Sequence, residues 1–142
     1  EIEKEFMKIN RPGVSLRLPG LFGIKRKNGL IYNSIYNIKN FKKIKLPEDK
    51  ILWSAMDVDD AAKSIVKLTD YDFKNHEIVN LGYEGPNSIN RFVGNLNLLF
   101  NLKLDYEVKH PDFCFKLDRA EQLELKVKNT FLNAIQQISK KI

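Results

Sequence analysis

Cysteine is nearly absent from this 142-residue sequence, where Cys114 stands alone. A single cysteine rules out an intrachain disulfide and any cysteine-rich zinc site. A reducing, cytoplasmic setting is the expectation that follows. Histidine is almost as scarce: only His76 and His110 occur. A metal site built on them would need carboxylate help, and each reads as an ordinary surface or loop residue. No apolar run approaches the roughly 18–20 residues of a membrane span, so a soluble protein is expected. Nothing basic and apolar opens the chain, so no secretion signal is read. Glu1 in first place leads to the expectation that the chain lies within a longer reading frame. Internal repeats and low-complexity linkers are missing as well.

What is present is 43% hydrophobic residues, enough for one domain with a real core and a tight fit for two. The net charge of +6 comes from 24 basic and 18 acidic side chains. Such a balance can serve a polyanionic partner. The lysines, however, read as scattered, and a chain rich in Lys, Asn and Ile reads as the product of an AT-rich genome.

Along the chain, Ile2, Phe6 and Ile9 recur as in the tail of a helix, which Pro12 and Gly13 end. Residues 14–18, VSLRL, predict a largely buried strand closed by Pro19 and Gly20. Residues 29–38 repeat apolar side chains at helical spacing, and a short strand is expected around 44–46. Residues 76–82 predict a strand ended by Gly82. Ser88 is expected to cap a helix with Ile89, Phe92, Val93, Leu96, Leu99 and Phe100 on its apolar face. Residues 103–109 alternate like a half-buried strand. Asp118 with Glu121 resembles a capping box, and Phe131, Ala134, Ile135, Ile138 and Ile142 share one face of a terminal helix. Strands alternating with helices make the class α/β.

The stretch ILWSAMDVDDAAKSIV, residues 51–66, places Asp57, Asp59 and Asp60 within four positions. They read as a helix start: Asp59 as N-cap, Asp60 in the first turn where the helix dipole favours negative charge. Ala62, Ile65, Val66 and Thr69 then recur at helical spacing. No second acidic cluster is visible to complete a metal site, so no metal ligand and no catalytic residue is assigned.

The order of these blocks resembles the C-terminal part of the extended short-chain dehydrogenases/reductases, the NAD-dependent sugar-nucleotide epimerases and dehydratases. LRLPGLFG (residues 16–23) resembles the family's L-R-P-x-N-x-Y-G strand end. Residues 58–62, VDDAA, resemble its V-D-D-x-A helix start. Arg119 and Ala120 followed by Leu123 resemble its R-A-x-x-L segment. The resemblance implies a C-terminal portion of a Rossmann-like fold, lacking the N-terminal dinucleotide-binding half, with residues 1–142 forming one substrate-binding domain. The family's G-x-x-G-x-x-G loop and Y-x-x-x-K pair are both missing: Gly20 to Gly23 and Gly82 to Gly85 are isolated G-x-x-G strings, and Tyr36 and Tyr71 each have a lysine three residues on. By the same resemblance, residues 1–9 continue the helix that carries Y-x-x-x-K.

Carried over by position, Pro19 and Gly20 lie beside the nicotinamide, and Gly20 also beside the substrate where the family has Asn. Lys25, Arg26, Lys27 and Asn28 fall in the loop lining the nucleotide-sugar site, where cations suit a diphosphate. Trp53 replaces an arginine that touches the nucleotide phosphates, and it reads equally as core. Arg17 is expected to be structural, pairing backbone or carboxylate groups near the sheet edge. NAD or NADP is the cofactor implied for an intact parent enzyme, with none expected to bind this chain alone. The alternatives are a small basic nucleic-acid-binding module, in which GLFGIKRKNG resembles the RNA-clamping loop of KH domains, and an assembly domain forming a homodimer through an open strand edge.

Overall fold

A computed structural model of the chain describes residues 2–8, 11–41, 43–104 and 109–142. The described elements run α1 (Ile2–Lys8), β1 (Gly13–Arg17), β2 (Gly20–Phe22), α2 (Leu30–Phe41), β3 (Ala55–Asp57), α3 (Val58–Lys67), a single 3-10 turn at Leu68–Asp70, β4 (His76–Asn80), α4 (Ile89–Phe100), α5 (Asp118–Gln122) and α6 (Phe131–Ser139).

Two short parallel ladders organise the chain. β1 pairs with β4, Gly13 opposite His76 and Arg17 opposite Asn80. β2 pairs with β3, Gly20 opposite Ala55 and Phe22 opposite Asp57. Parallel neighbours need a crossover, and α2 supplies it between β2 and β3. Pro19 separates β1 from β2. It offers no N–H, so the run of strand hydrogen bonds breaks there. The core forms where the apolar faces of α2 (Ile31, Ile35, Ile38), α4 (Phe92, Leu96) and α6 (Ala134, Ile135, Ile138) meet Met56, Val79, Leu81 and Leu125. Burial of this apolar area is the main favourable term in folding.

Ser88 caps α4 as expected, its Oγ accepting from the Arg91 N–H at 3.2 Å, and Thr130 caps α6 in the same way. The expectations fail in five places. β1 is half-buried, and among the described strands it has β4 along one edge only, because two-stranded ladders leave every strand an outer edge. Residues 44–46 form no strand: Ile44 packs on the core, but no described strand pairs with it. The cap of α3 is Asp57, whose Oδ1 accepts from the Asp59 N–H at 2.8 Å, so the helix begins two residues earlier than expected. At α5 the cap position is Leu117, with no side-chain cap hydrogen bond, and Asp118 lies inside the helix.

The fifth difference is the face that α3 buries. Asp60, Ala61 and Ser64 point inward, while Ile65 and Val66 are exposed along with Ala62. Polar anchors decide this: Ser64 Oγ donates to the Leu125 carbonyl at 3.1 Å, and Asp60 is held by two donors from elsewhere in the fold. The strand expected over 103–109 falls largely on 105–108, outside the described residues, as does Ile9 of the first helix.

Candidate functional site

Four of the residues singled out in the sequence meet around one small cavity. It has a volume of about 110 Å³ and lies between β2, β3 and the start of α2, with Gly20, Arg26, Asn28, Trp53 and Ala55 in its lining. The Gly20 N–H donates to the Ser54 carbonyl at 3.2 Å, which fixes one wall. The turn that follows returns the chain toward α2, with the Arg26 N–H donating to the Gly23 carbonyl at 3.0 Å. The Arg26 side chain folds back, Nη1 donating to the Leu21 carbonyl at 2.7 Å. Pro19 and Lys25 neighbour the lining residues in sequence but do not line the cavity.

Trp53 faces two ways. Its indole packs against Phe92 at 5.3 Å and Phe131 at 6.0 Å between ring centroids, and it also lines the cavity. The lining therefore offers one guanidinium, one amide, an indole, the Phe22 phenyl ring and aliphatic groups, with no carboxyl, imidazole or phenol. Such a set can hold an anion and an adjoining flat or apolar group, but it has nothing to move a proton at neutral pH.

Among the described residues no group of three or more His, Cys, Asp or Glu side chains is placed to hold a metal ion, and the acids of residues 57–60 serve the start of α3. Asp57, not Asp59, is the cap, and Asp59 lies in the first turn. Asp60 is buried, its Oδ2 accepting from the Tyr83 hydroxyl and from Asn129 Nδ2, each at 2.8 Å. The same hydroxyl accepts from the Asp57 N–H at 3.1 Å. Burial, with the Asp60 carboxylate behind it, raises the Tyr83 phenol far above its usual range and keeps it a donor. Burial likewise raises the Asp57 carboxyl, against the pull of the Asp59 N–H.

Neither Tyr83 nor Asn129 carries a sequence signal of this role. Both histidines are expected on surfaces or loops, and His110 does lie in a loop but is buried there, with Nδ1 accepting from the Ile51 N–H at 3.4 Å. His76 sits on β4, hydrogen-bonded to Ser15 Oγ at 2.8 Å and stacked on Phe6. Arg17 pairs with Glu3 of α1, a structural contact. Arg119, part of the R-A-x-x-L resemblance, clamps Glu77 of β4 with two hydrogen bonds at 2.5 and 2.8 Å and so ties α5 to the sheet.

A dinucleotide needs free backbone N–H groups at a helix start. Gly20 to Gly23 does not fit that requirement. The Gly20 N–H is taken by Ser54, and an added Cβ at Gly23 would stand 2.7 Å from Val58 Cγ1, so this glycine serves close packing. The KH-type clamp does not fit either, because the segment joins a strand to a helix and not two helices.

No family model matches the sequence, and no curated protein matches it. Solved structures do, and they show the fold: a partial Rossmann-like α/β fold shared with epimerases and dehydratases of nucleotide-linked sugars. The ADP-L-glycero-D-manno-heptose-6-epimerase of Helicobacter pylori superposes with a TM-score of 0.75 at 17% identity, over 99% of this chain and 47% of that one. The dTDP-glucose 4,6-dehydratase of Bacillus anthracis, solved with NAD, gives 0.70 at 16% identity, over 89% of this chain and 43% of that one. The UDP-glucose 4-epimerase of Thermotoga maritima, solved with UDP-glucose, gives 0.68 at 12% identity, over 89% and 44%. The chain thus spans less than half the length of the structures it resembles.

Proposed function

We propose that residues 1–142 act as the substrate-binding, C-terminal portion of an NAD(P)-dependent sugar-nucleotide epimerase or dehydratase and supply pocket walls without a catalytic acid or base. The observation that carries this reading is the convergence of Gly20, Arg26, Asn28 and Trp53 on one cavity, in a fold shared with enzymes of that class. Arg26 and the neighbouring Lys25 supply positive charge for a diphosphate, and the Trp53 indole offers a flat surface. Gly20 forms the wall nearest the nicotinamide, with Pro19 next to it in sequence. The hydride chemistry belongs to the cofactor, which in this reading is held by residues other than these, in a cytoplasmic enzyme. The outer edge of β1 is then where further strands, or a second copy, would pair.

Trp53 is the single tryptophan, so its fluorescence reports the cavity directly. A nucleotide-linked sugar is expected to change that signal saturably with a dissociation constant below about 1 mM, while NAD binds no tighter than that. A micromolar dissociation constant for NAD, or no response to any nucleotide sugar, overturns the proposal.

A further inference from the structure

The positive charge of the chain is not scattered as its lysine content first suggests. Residues 6–47 contain ten basic and no acidic side chains, whereas the rest of the chain carries fourteen basic and eighteen acidic ones. The whole net positive charge therefore belongs to one segment, and α2 is the helix at its centre. The chain enters α2 through Lys25, Arg26 and Lys27 and leaves it past Lys43 and Lys45, all exposed. Among the described residues none of these five pairs with a carboxylate, and the acid-free run ends only at Glu48.

Between the two basic ends α2 carries a row of rings. Tyr32 and Tyr36 stack with centroids 6.3 Å apart and planes 10° apart, and Phe41 meets Tyr36 edge-on at 6.4 Å. Tyr36 is 45% and Phe41 63% exposed, more than core packing asks of such large apolar groups. The other side of the helix is satisfied by Ile31, Ile35 and Ile38 in the core, so the row is left over from folding. Asn33 and Asn40 add exposed amide groups beside it. Twelve helical residues span about 18 Å, which sets the two cationic ends apart by a few nucleotide lengths.

Rings on which bases stack, flanked by cations that follow a phosphate backbone, are what sequence-tolerant binding of unpaired nucleic acid requires. We propose that the outer face of α2, with Tyr36 and Phe41 as stacking platforms and Lys25, Lys27, Lys43 and Lys45 as phosphate contacts, binds single-stranded nucleic acid. Charge complementarity selects a polyanion, and the rings select one that carries planar bases. The proposal does not depend on the nucleotide-sugar reading, because the rings lie outside the cavity lining.

Fluorescence anisotropy of a labelled oligothymidylate of about 15 nucleotides, titrated with the 142-residue chain, tests it. Binding should weaken with salt, with a log–log slope between about −2 and −4 for three to five phosphate contacts on a single strand. Each of Tyr36→Ala and Phe41→Ala should weaken binding at least about fivefold with the slope unchanged. Tyr36→Phe should restore it, since the ring and not the hydroxyl is used. Lys43→Gln with Lys45→Gln should flatten the slope by about 1.4. Three results overturn the proposal: no binding of the oligonucleotide at low salt; ring variants that fold by circular dichroism yet bind as the parent does, leaving charge as the whole effect; or vesicles of phosphatidylserine outcompeting the oligonucleotide, which makes the face a membrane contact.

Discussion

The Tyr83 hydroxyl stands between Asp57 and Asp60, accepting from the backbone N–H of the first and donating to the buried carboxylate of the second. One phenol thus ties the end of β3 to the first turn of α3. Removing it leaves Asp60 short of a donor in a buried site and the Asp57 N–H short of an acceptor. Tyr83→Phe is therefore expected to cost about 2 kcal/mol, read as a lower urea midpoint with an unchanged denaturant slope. An unaltered midpoint would mean that water replaces the hydroxyl without loss.

The Asp57 carboxyl is held above its ordinary value of 3.8, chiefly by burial, with Asp59 and Asp60 adding repulsion. A raised carboxyl pKa means that the folded chain resists ionisation at this position. The group therefore costs stability above its folded pKa, and the cost disappears as the pH falls below the unfolded value. Asn keeps the capping oxygen without the charge. Asp57→Asn should raise the urea midpoint near about pH 7 and make no difference near about pH 3. A loss of stability at neutral pH would show that the ionised cap is the favoured form.

Gly82 lies two residues past the end of β4, against the Phe115 ring, where an added Cβ would stand 2.6 Å from Cδ2. Gly82→Ala must push that ring aside, at a cost of about 1–3 kcal/mol. Shortening the obstacle should remove most of that cost, so Gly82→Ala with Phe115→Leu is expected to lose less than the sum of the two single changes. Thermal melts of the four chains close the cycle.

Arg26 both lines the cavity and braces the Leu21 carbonyl. Arg26→Ala should weaken a nucleotide sugar at least about tenfold while lowering the melting temperature only slightly, because its bond is exposed. Equal affinity for parent and variant, followed through Trp53 fluorescence, would place the diphosphate elsewhere.

Much of the fold was readable because its cause is local. α2, α4 and α6 follow from apolar spacing, and Ser88 declares its helix three residues before the backbone N–H that it caps. The orientation of α3 was not readable. Ala62, Ile65 and Val66 have the spacing of a buried face, but the partners that pull the opposite face inward, Tyr83 and Asn129, lie 23 and 69 residues from Asp60. A periodicity count sees only the helix itself, and the winning interactions came from outside it. Residues 44–46 fail for the same reason: a strand needs a neighbour, and sequence alternation supplies none. The cavity residues came from resemblance, since a glycine, an arginine, an asparagine and a tryptophan spread over 34 positions carry no signal of their own.

Pro19 sits where the backbone passes from one ladder to the other. The β1–β4 ladder continues past Arg17 through the Leu81 N–H, and the β2–β3 ladder begins with the Gly20 N–H on Ser54; of the two residues between, Leu18 and Pro19, the second has no hydrogen to give. The run of strand hydrogen bonds is thus interrupted at Pro19. A push on Gly20 passes into β3 through the hydrogen bond to Ser54, and from there into the cap of α3, whereas no strand hydrogen bond carries it back across Pro19 into β1 and β4. The cavity wall and the other ladder therefore communicate through side chains, by way of the Asp57 N–H on the Tyr83 hydroxyl and the core shared by Met56, Val79 and Leu81.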